Sequence, residues 1–186
     1  RGCTRSQQQS RTRSNGKQSD RDRNRRTQRS TEHSQRQKNR EWRFTLSREN
    51  DVEAAPSIGP KTASRLAQAD IRSVADLLSA NPESVAEELD VSHIQAKTVA
   101  AWQHQARLVC QIPELPGYGA QLLVANGFTE PEQVAGSSID ELVGKLLAFC
   151  QTKEGQRIIR SGDAPERDKI AEWIECAAHR RPLEAA

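Results

Sequence analysis

Residues 56–66 read Pro-Ser-Ile-Gly-Pro-Lys-Thr-Ala-Ser-Arg-Leu and combine a glycine turn with the start of a helix. The segment after Gly59 opens with Pro, a residue favoured at the first position of a helix. The first amides of a helix have no intrahelical partner and carry partial positive charge, so they suit a phosphate oxygen. We therefore expect the backbone amides of Gly59, Lys61 and Thr62 to donate to phosphate. Lys61 and Arg65 would add full positive charge, and such contacts position a protein on nucleic acid without reading its sequence.

A second stretch, residues 115–123, has a similar pattern without the charge. Its Tyr118 stands where the first stretch has Lys61, and no Lys or Arg occurs from 108 to 144. We expect this turn to serve packing, with Tyr118 free to touch a partner. Lys153, Arg157 and Arg160 form a further small basic cluster, which we interpret as a solvated helix face.

Charge is distributed unevenly along the 186 residues. Residues 1–43 hold 14 Lys and Arg against 4 Asp and Glu, whereas residues 44–186 hold 14 against 21, so a segment of net charge +10 precedes one of −7. Residues 1–40 contain almost no apolar side chain and cannot bury enough surface to offset the entropy of ordering. We expect residues 1–43 to be a disordered Arg-rich arm, either an electrostatic arm for nucleic acid or a solubilising linker.

The remaining composition excludes several classes of function. The four Cys show no C-x-x-C spacing, and the four His do not pair with them at zinc-finger spacing. Since no catalytic or phosphate-loop motif is present either, we predict a non-enzyme without metal, cofactor or small-molecule substrate. Unpaired thiols and the lack of a signal peptide or an apolar run of about 18 residues indicate a cytoplasmic protein that avoids membranes. The absence of Met predicts that the chain is part of a longer protein.

From Pro56 onward the pattern predicts short helices joined by short loops. The predicted helix starts are Ser73, Asn81 with Pro82, the capping boxes Ser92–Gln95 and Ser138–Glu141, and Asp163. The last helix should run through Trp173 to about His179. Residues 42–46 alternate apolar and polar, and we expect them to form an extended lead-in that docks on the helices.

A displacement of 57 residues brings similar residues into register, which predicts an internal duplication. Identities fall at Pro56, Ala63, Leu66 and Leu89 on Pro113, Ala120, Leu123 and Leu146. Apolar positions in phase are Ile58, Ile71, Leu77 and Val85 on Leu115, Phe128, Val134 and Leu142. The second unit carries an insertion over about Gln151–Ser161, after which Trp173 would match Trp102.

Residues 55–109 resemble a tandem helix-hairpin-helix module. Ile58, Gly59, Ala63 and Leu66 match its signature of apolar-x-Gly-apolar-Gly-x-x-x-Ala with a later Leu, while Ser57 replaces the first Gly. Similar segments occur in the RNA polymerase α C-terminal domain, in DNA ligases and in repair proteins. This resemblance implies sequence-nonspecific DNA binding through Gly59, Lys61, Thr62 and Arg65.

Residues 50–182 as a whole resemble a bacterial family of duplicated helix-hairpin-helix domains that is described as a domain of unknown function. The matching stretches are 102–110, 120–124 and 154–159. The resemblance implies an all-α fold of duplicated helix-hairpin-helix units, which are SAM-like small helical bundles. The expected division is the arm over 1–43, a first unit with its lead-in over 44–111, and a second, degenerate unit over 112–182.

Three functions are consistent with these patterns. The leading hypothesis is a non-enzymatic module that holds the phosphate backbone of duplex DNA through the first hairpin, assisted by the basic arm. The alternatives are a protein-interaction or scaffold module whose acidic helical part docks a protein partner, and an accessory region of a larger DNA-processing protein.

Overall fold

The computed structural model describes residues 41–160 and 162–186, and there it has nine α-helices and no strand. The helices are α1 (Pro60–Gln68), α2 (Val74–Ser79), α3 (Pro82–Leu89), α4 (Ala96–Gln111), α5 (Gly117–Ala125), α6 (Pro131–Ala135), α7 (Ile139–Cys150), α8 (Lys153–Ile158) and α9 (Arg167–Ala178). Two 3₁₀ turns, Val52–Ala54 and Leu183–Ala185, flank this series. The predicted all-α fold is confirmed, and the predicted basic arm lies outside the described residues up to residue 40.

Local capping chemistry fixes several helix starts where the sequence predicts them. Ser73 accepts a hydrogen bond from the amide of Asp76, whose carboxylate accepts from the amide of Ser73 in return, so α2 begins with a capping box. These hydrogen bonds from Ser73 lower the pKa of the Asp76 carboxyl. Asn81 caps α3, with Pro at its first position, and Ser138 caps α7.

Two predicted helix starts are wrong. A turn closed by a bond from the Ile94 amide to the Val91 carbonyl takes up the segment around Ser92, so α4 begins only after Gln95. Asp163 does not cap α9, which starts after Glu166. Pro165 explains the delay, because the residue before a proline is disfavoured in the helical region.

A single hydrophobic cluster runs through residues 42–186, which form one compact unit. Trp102 on α4 and Trp173 on α9 are both buried in it. Helix α4 packs on α3 and α5, and α9 packs on α6 and α7. Leu46 of the extended lead-in is buried against the same cluster, as predicted. Within the described part, no helix has the length and apolar character needed to cross a membrane.

Corresponding features of the two halves lie 57 residues apart. Helices α1, α2 and α3 begin at Pro60, Val74 and Pro82, and α5, α6 and α7 begin at Gly117, Pro131 and Ile139. Capping boxes occur at Ser73 and at Glu130, which have the same spacing. All eight apolar residues predicted to be in phase are buried. The predicted register therefore holds for helix starts, caps and core positions.

Candidate nucleic-acid interface

The N-terminus of α1 is open. Gly59 is its N-cap, and no side chain caps this end. Pro60 has no N–H, so the donors of the first turn that lack an intrahelical partner are the amides of Lys61 and Thr62. A Cβ added at Gly59 would meet nothing within 4 Å, and its φ of −103° suits any residue. The fold therefore leaves room for a ligand oxygen to approach this backbone.

Two cations flank this helix end. Lys61 and Arg65 are exposed, and neither forms an ion pair with any residue in the described ranges. Arg65 lies one turn further along α1, where it lines a shallow depression of about 240 Å³ together with Glu88 of α3. The structure thus brings the four predicted residues together at one end of α1, with Lys61 nearer the open amides than Arg65.

The turn before α1 adopts the backbone expected of glycine. Ser57 has φ +66°, in the left-handed region where a Cβ costs free energy. Its hydroxyl donates a 2.7 Å hydrogen bond to Oε1 of Gln105, a buried residue of α4. This bond helps to hold the turn, so the replacement of the first signature Gly does not prevent the left-handed conformation.

The second turn, before α5, lies against the first. A Cβ added at Gly117 would sit 3.6 Å from the ring of Pro56, so the two hairpin loops are in contact. Glu114 has φ +57°, the counterpart of Ser57. No side chain caps α5. Both hairpin loops line one cleft of about 690 Å³, the first through residues 55–58.

The same cleft receives Arg157 and Arg160 from the region of α8. Sequence reasoning noticed these arginines but interpreted them as a solvated face and described the second hairpin as lacking charge. The structure corrects that picture, because the segment after α7 folds back and places both cations beside Tyr118. Asp163 also lines the cleft.

A third basic group, on α4, offers less to an anion. Arg107 donates a 2.7 Å hydrogen bond to Glu130, and His104 lies 3.9 Å from the same carboxylate. The weak basic face expected from these residues is therefore largely neutralised by the cap of α6.

Other chemistry has little support in the described residues. No group of three or more His, Cys, Asp or Glu there could hold a metal ion. Burial raises the pKa of the Cys110 thiol to about 11, so this cysteine stays protonated at neutral pH and is a poor nucleophile.

Comparison with known proteins places the helical body in a family. The family described as Domain of unknown function (DUF4332) matches residues 56–180, well over half of the chain. The chain belongs to this family. The DUF4332 region begins at the first hairpin and includes both hairpins, the cleft and α9. Neither a curated protein nor a solved structure matches the chain.

Proposed function

We propose that this DUF4332 protein is a non-enzymatic module that binds duplex DNA through its phosphate backbone, without sequence preference. The observation that carries the proposal is the open end of α1, where uncapped amides and the exposed Lys61 meet beside an unobstructed Gly59. Helix ends of this kind bind anions, and a nearby ammonium group adds attraction. Backbone amides and Lys contact phosphates, which carry no sequence information.

The local backbone supports a helix-hairpin-helix origin for both turns. Ser57 and Glu114 share the left-handed conformation, and so do Asp70 and Gly127, each pair 57 residues apart. The helices that follow the turns, α1 and α5, have the same length. We take the body to be a duplication of this unit. In the first copy the helix before the turn is reduced to the 3₁₀ turn Val52–Ala54.

Charge favours a polyanion over a protein partner. The first 43 residues carry a net charge of +10, which would attract DNA over long range and strengthen a weak contact on the body. Across the described ranges the large apolar side chains that are exposed are Tyr118 and Leu147 alone. A protein-docking role therefore has less apolar surface to use.

Lys61→Gln combined with Arg65→Gln should weaken duplex binding by the full chain. Loss of one or two phosphate contacts should lower the slope of log affinity against log salt by about one to two. Fluorescence anisotropy of a labelled duplex at several salt concentrations measures that slope. Lys97→Gln, the same change at an exposed lysine on α4, is the matched control and should leave the slope nearly unchanged.

Gly59→Ala tests the backbone contact itself. The added methyl group meets no protein atom, so the melting temperature should stay close to wild type while duplex affinity falls about threefold or more. If the double charge variant and Gly59→Ala both bind DNA like the wild type, the α1 end is not a DNA site and the proposal is wrong.

A further inference from the structure

The cleft between the two hairpin loops has the size and lining of a ligand site. Its volume of about 690 Å³ falls within the range typical of small-molecule sites, roughly 300–1,000 Å³. Three separate segments form its walls, namely the first hairpin loop, the start of α5 and residues 157–163. A site built from distant segments has a shape that depends on the whole fold.

The charged groups at this cleft favour an anion. Arg157 and Arg160 line it, both are exposed, and neither forms an ion pair in the part of the chain that the structure describes. Asp163 opposes them on the same lining. Arg157 also lines an adjoining hollow of about 460 Å³, where Glu154 is present. Two guanidinium groups against one carboxylate leave the main cleft net positive, and guanidinium matches the oxygens of a phosphate.

The start of α5 adds donors to the same cleft. Gly117 and Tyr118 are its first two residues and line the cleft, and no side chain caps the helix. Unlike α1, this helix does not begin with proline, so the amide of its first residue is present as a donor.

An aromatic and apolar surface completes the lining. The ring of Tyr118 is 38% exposed, and its other contact is an edge-on arrangement with Trp173 at 5.8 Å between centroids. Ile158 and Ile159 are half-buried beside it. A sugar or base attached to a phosphate would find apolar contact here, and bases stack on aromatic rings of this kind.

We propose that this cleft binds a phosphate ester, with Arg157 and Arg160 on the phosphate oxygens and the amides of Gly117 and Tyr118 donating to the same group. The adjoining sugar or base lies against Tyr118. This site is separate from the open end of α1 and does not depend on it. The phosphate can come from a nucleic-acid strand or from a free nucleotide, and the ligands in the test distinguish these sources.

Chemical-shift titration of the ¹⁵N-labelled full chain tests the cleft directly. The ligands are inorganic phosphate, thymidine monophosphate and a thymidine dinucleotide with a 5′-phosphate. We expect saturable shifts of the Gly117 and Tyr118 amides, because these report the cleft even if the basic arm also binds the ligand. Tighter binding of the dinucleotide identifies a strand as the source, and equal binding of the monophosphate identifies a single nucleotide.

Arg157→Gln with Arg160→Gln should weaken these titrations about tenfold or more. Lys153→Gln is the matched control, since it removes a positive charge from the same helix at a residue outside the cleft lining. Asp163→Asn should tighten binding about two- to threefold because it removes the opposing charge. Both arginines are exposed, so an unchanged amide spectrum elsewhere should verify that the double variant folds.

Absence of shifts at Gly117 and Tyr118 for all three ligands would overturn the proposal. Wild-type affinity in the folded double arginine variant would overturn it as well. Gly59→Ala separates this site from the proposed DNA contact, because it should leave the cleft titration unchanged. A cleft that fails while Gly59→Ala still weakens duplex binding removes this inference and leaves the proposed function in place.

Discussion

Single residues in left-handed backbone mark the places where this fold turns sharply. In the described ranges the non-glycine examples are Ser57, Asp70, Asp90, Glu114 and Arg160. Two of them, Ser57 and Arg160, line the cleft. A side chain in this region costs roughly 1–2 kcal/mol compared with ordinary helical backbone. The conformation at Arg160 helps to direct the chain after α8, which is the segment that carries both cleft arginines.

Asp90 is the position where this cost should be easiest to remove. It is exposed, has φ +45° and sits at the carboxyl end of α3, where its negative charge also opposes the helix dipole. Asp90→Gly should therefore raise the free energy of unfolding by about 0.5–1 kcal/mol, or a few degrees in melting temperature. Calorimetry or thermal circular dichroism measures the change.

Two companion variants separate backbone strain from charge at this position. Asp90→Asn removes the charge and keeps a side chain that tolerates this backbone, so it should give a smaller gain. Asp90→Ala keeps the Cβ penalty and should give no more than Asn. A melting temperature for Asp90→Gly at or below that of Asp90→Ala would contradict the strain argument.

At the scale of elements, α8 decides where the cleft arginines lie. Thr152 caps this helix by accepting from the amide of Gly155, and its hydroxyl donates to the carbonyl of Phe149. Gln156 donates from its side chain to the carbonyl of Cys150 at 2.7 Å. A Cβ on Gly155 would overlap the Phe149 carbonyl and lie 2.7 Å from Cα of Cys150. This close approach holds α8 against the end of α7.

Gly155→Ala should consequently displace α8 and destabilise the protein. We expect a loss of about 1–3 kcal/mol in unfolding free energy, since the overlap is with backbone that cannot rotate away. Amide shifts should change for Arg157 and Arg160 as well as for Cys150. Denaturant unfolding and the amide spectrum provide the two measurements.

Gly144→Ala is the matched glycine replacement on the neighbouring helix. Gly144 lies inside α7, where an added Cβ meets nothing within 4 Å, so alanine should stabilise the protein by about 0.5–1 kcal/mol. Similar effects for the two replacements would show that the tight contact at Gly155 does not determine the position of α8.

Local signals in the sequence predict elements of this fold better than they predict its surfaces. Ser73, Asn81 and Ser138 act within a single turn, so their capping roles follow from a few neighbouring residues. The cleft depends on contacts between segments some forty to a hundred residues apart, and no short pattern specifies that Arg157 and Arg160 meet the second hairpin. The resemblance of the hairpins drew attention to α1, whereas the longer-range packing supplied the second site.

At the scale of the whole molecule, Arg181 joins the two ends of the helical body. It donates to the carbonyl of Cys110 at 2.8 Å and to that of Leu46 at 3.0 Å, and its guanidinium lies 4.0 Å from the centre of the Phe44 ring. Trp42 stacks on His179 at 4.5 Å between centroids. A fragment meant to keep the folded body should therefore begin no later than Trp42.

Residues 42–186 alone should fold like the full chain but bind DNA much more weakly. This fragment has 15 Lys and Arg against 21 Asp and Glu, a net charge of −6, compared with +3 for the whole chain. Its melting temperature should match the full chain within about 2 °C, because the described hydrophobic cluster lies entirely within it. Its salt slope should fall to about one or two, which is the number of phosphates that the open end of α1 can hold. Anisotropy titrations at low salt, with and without Lys61→Gln in the fragment, measure that remaining slope. A slope that Lys61→Gln abolishes assigns the residual binding to the α1 end. Complete loss of binding in a fragment that melts normally would instead assign all DNA affinity to the first 41 residues, and the acidic balance of the body would then favour a protein partner.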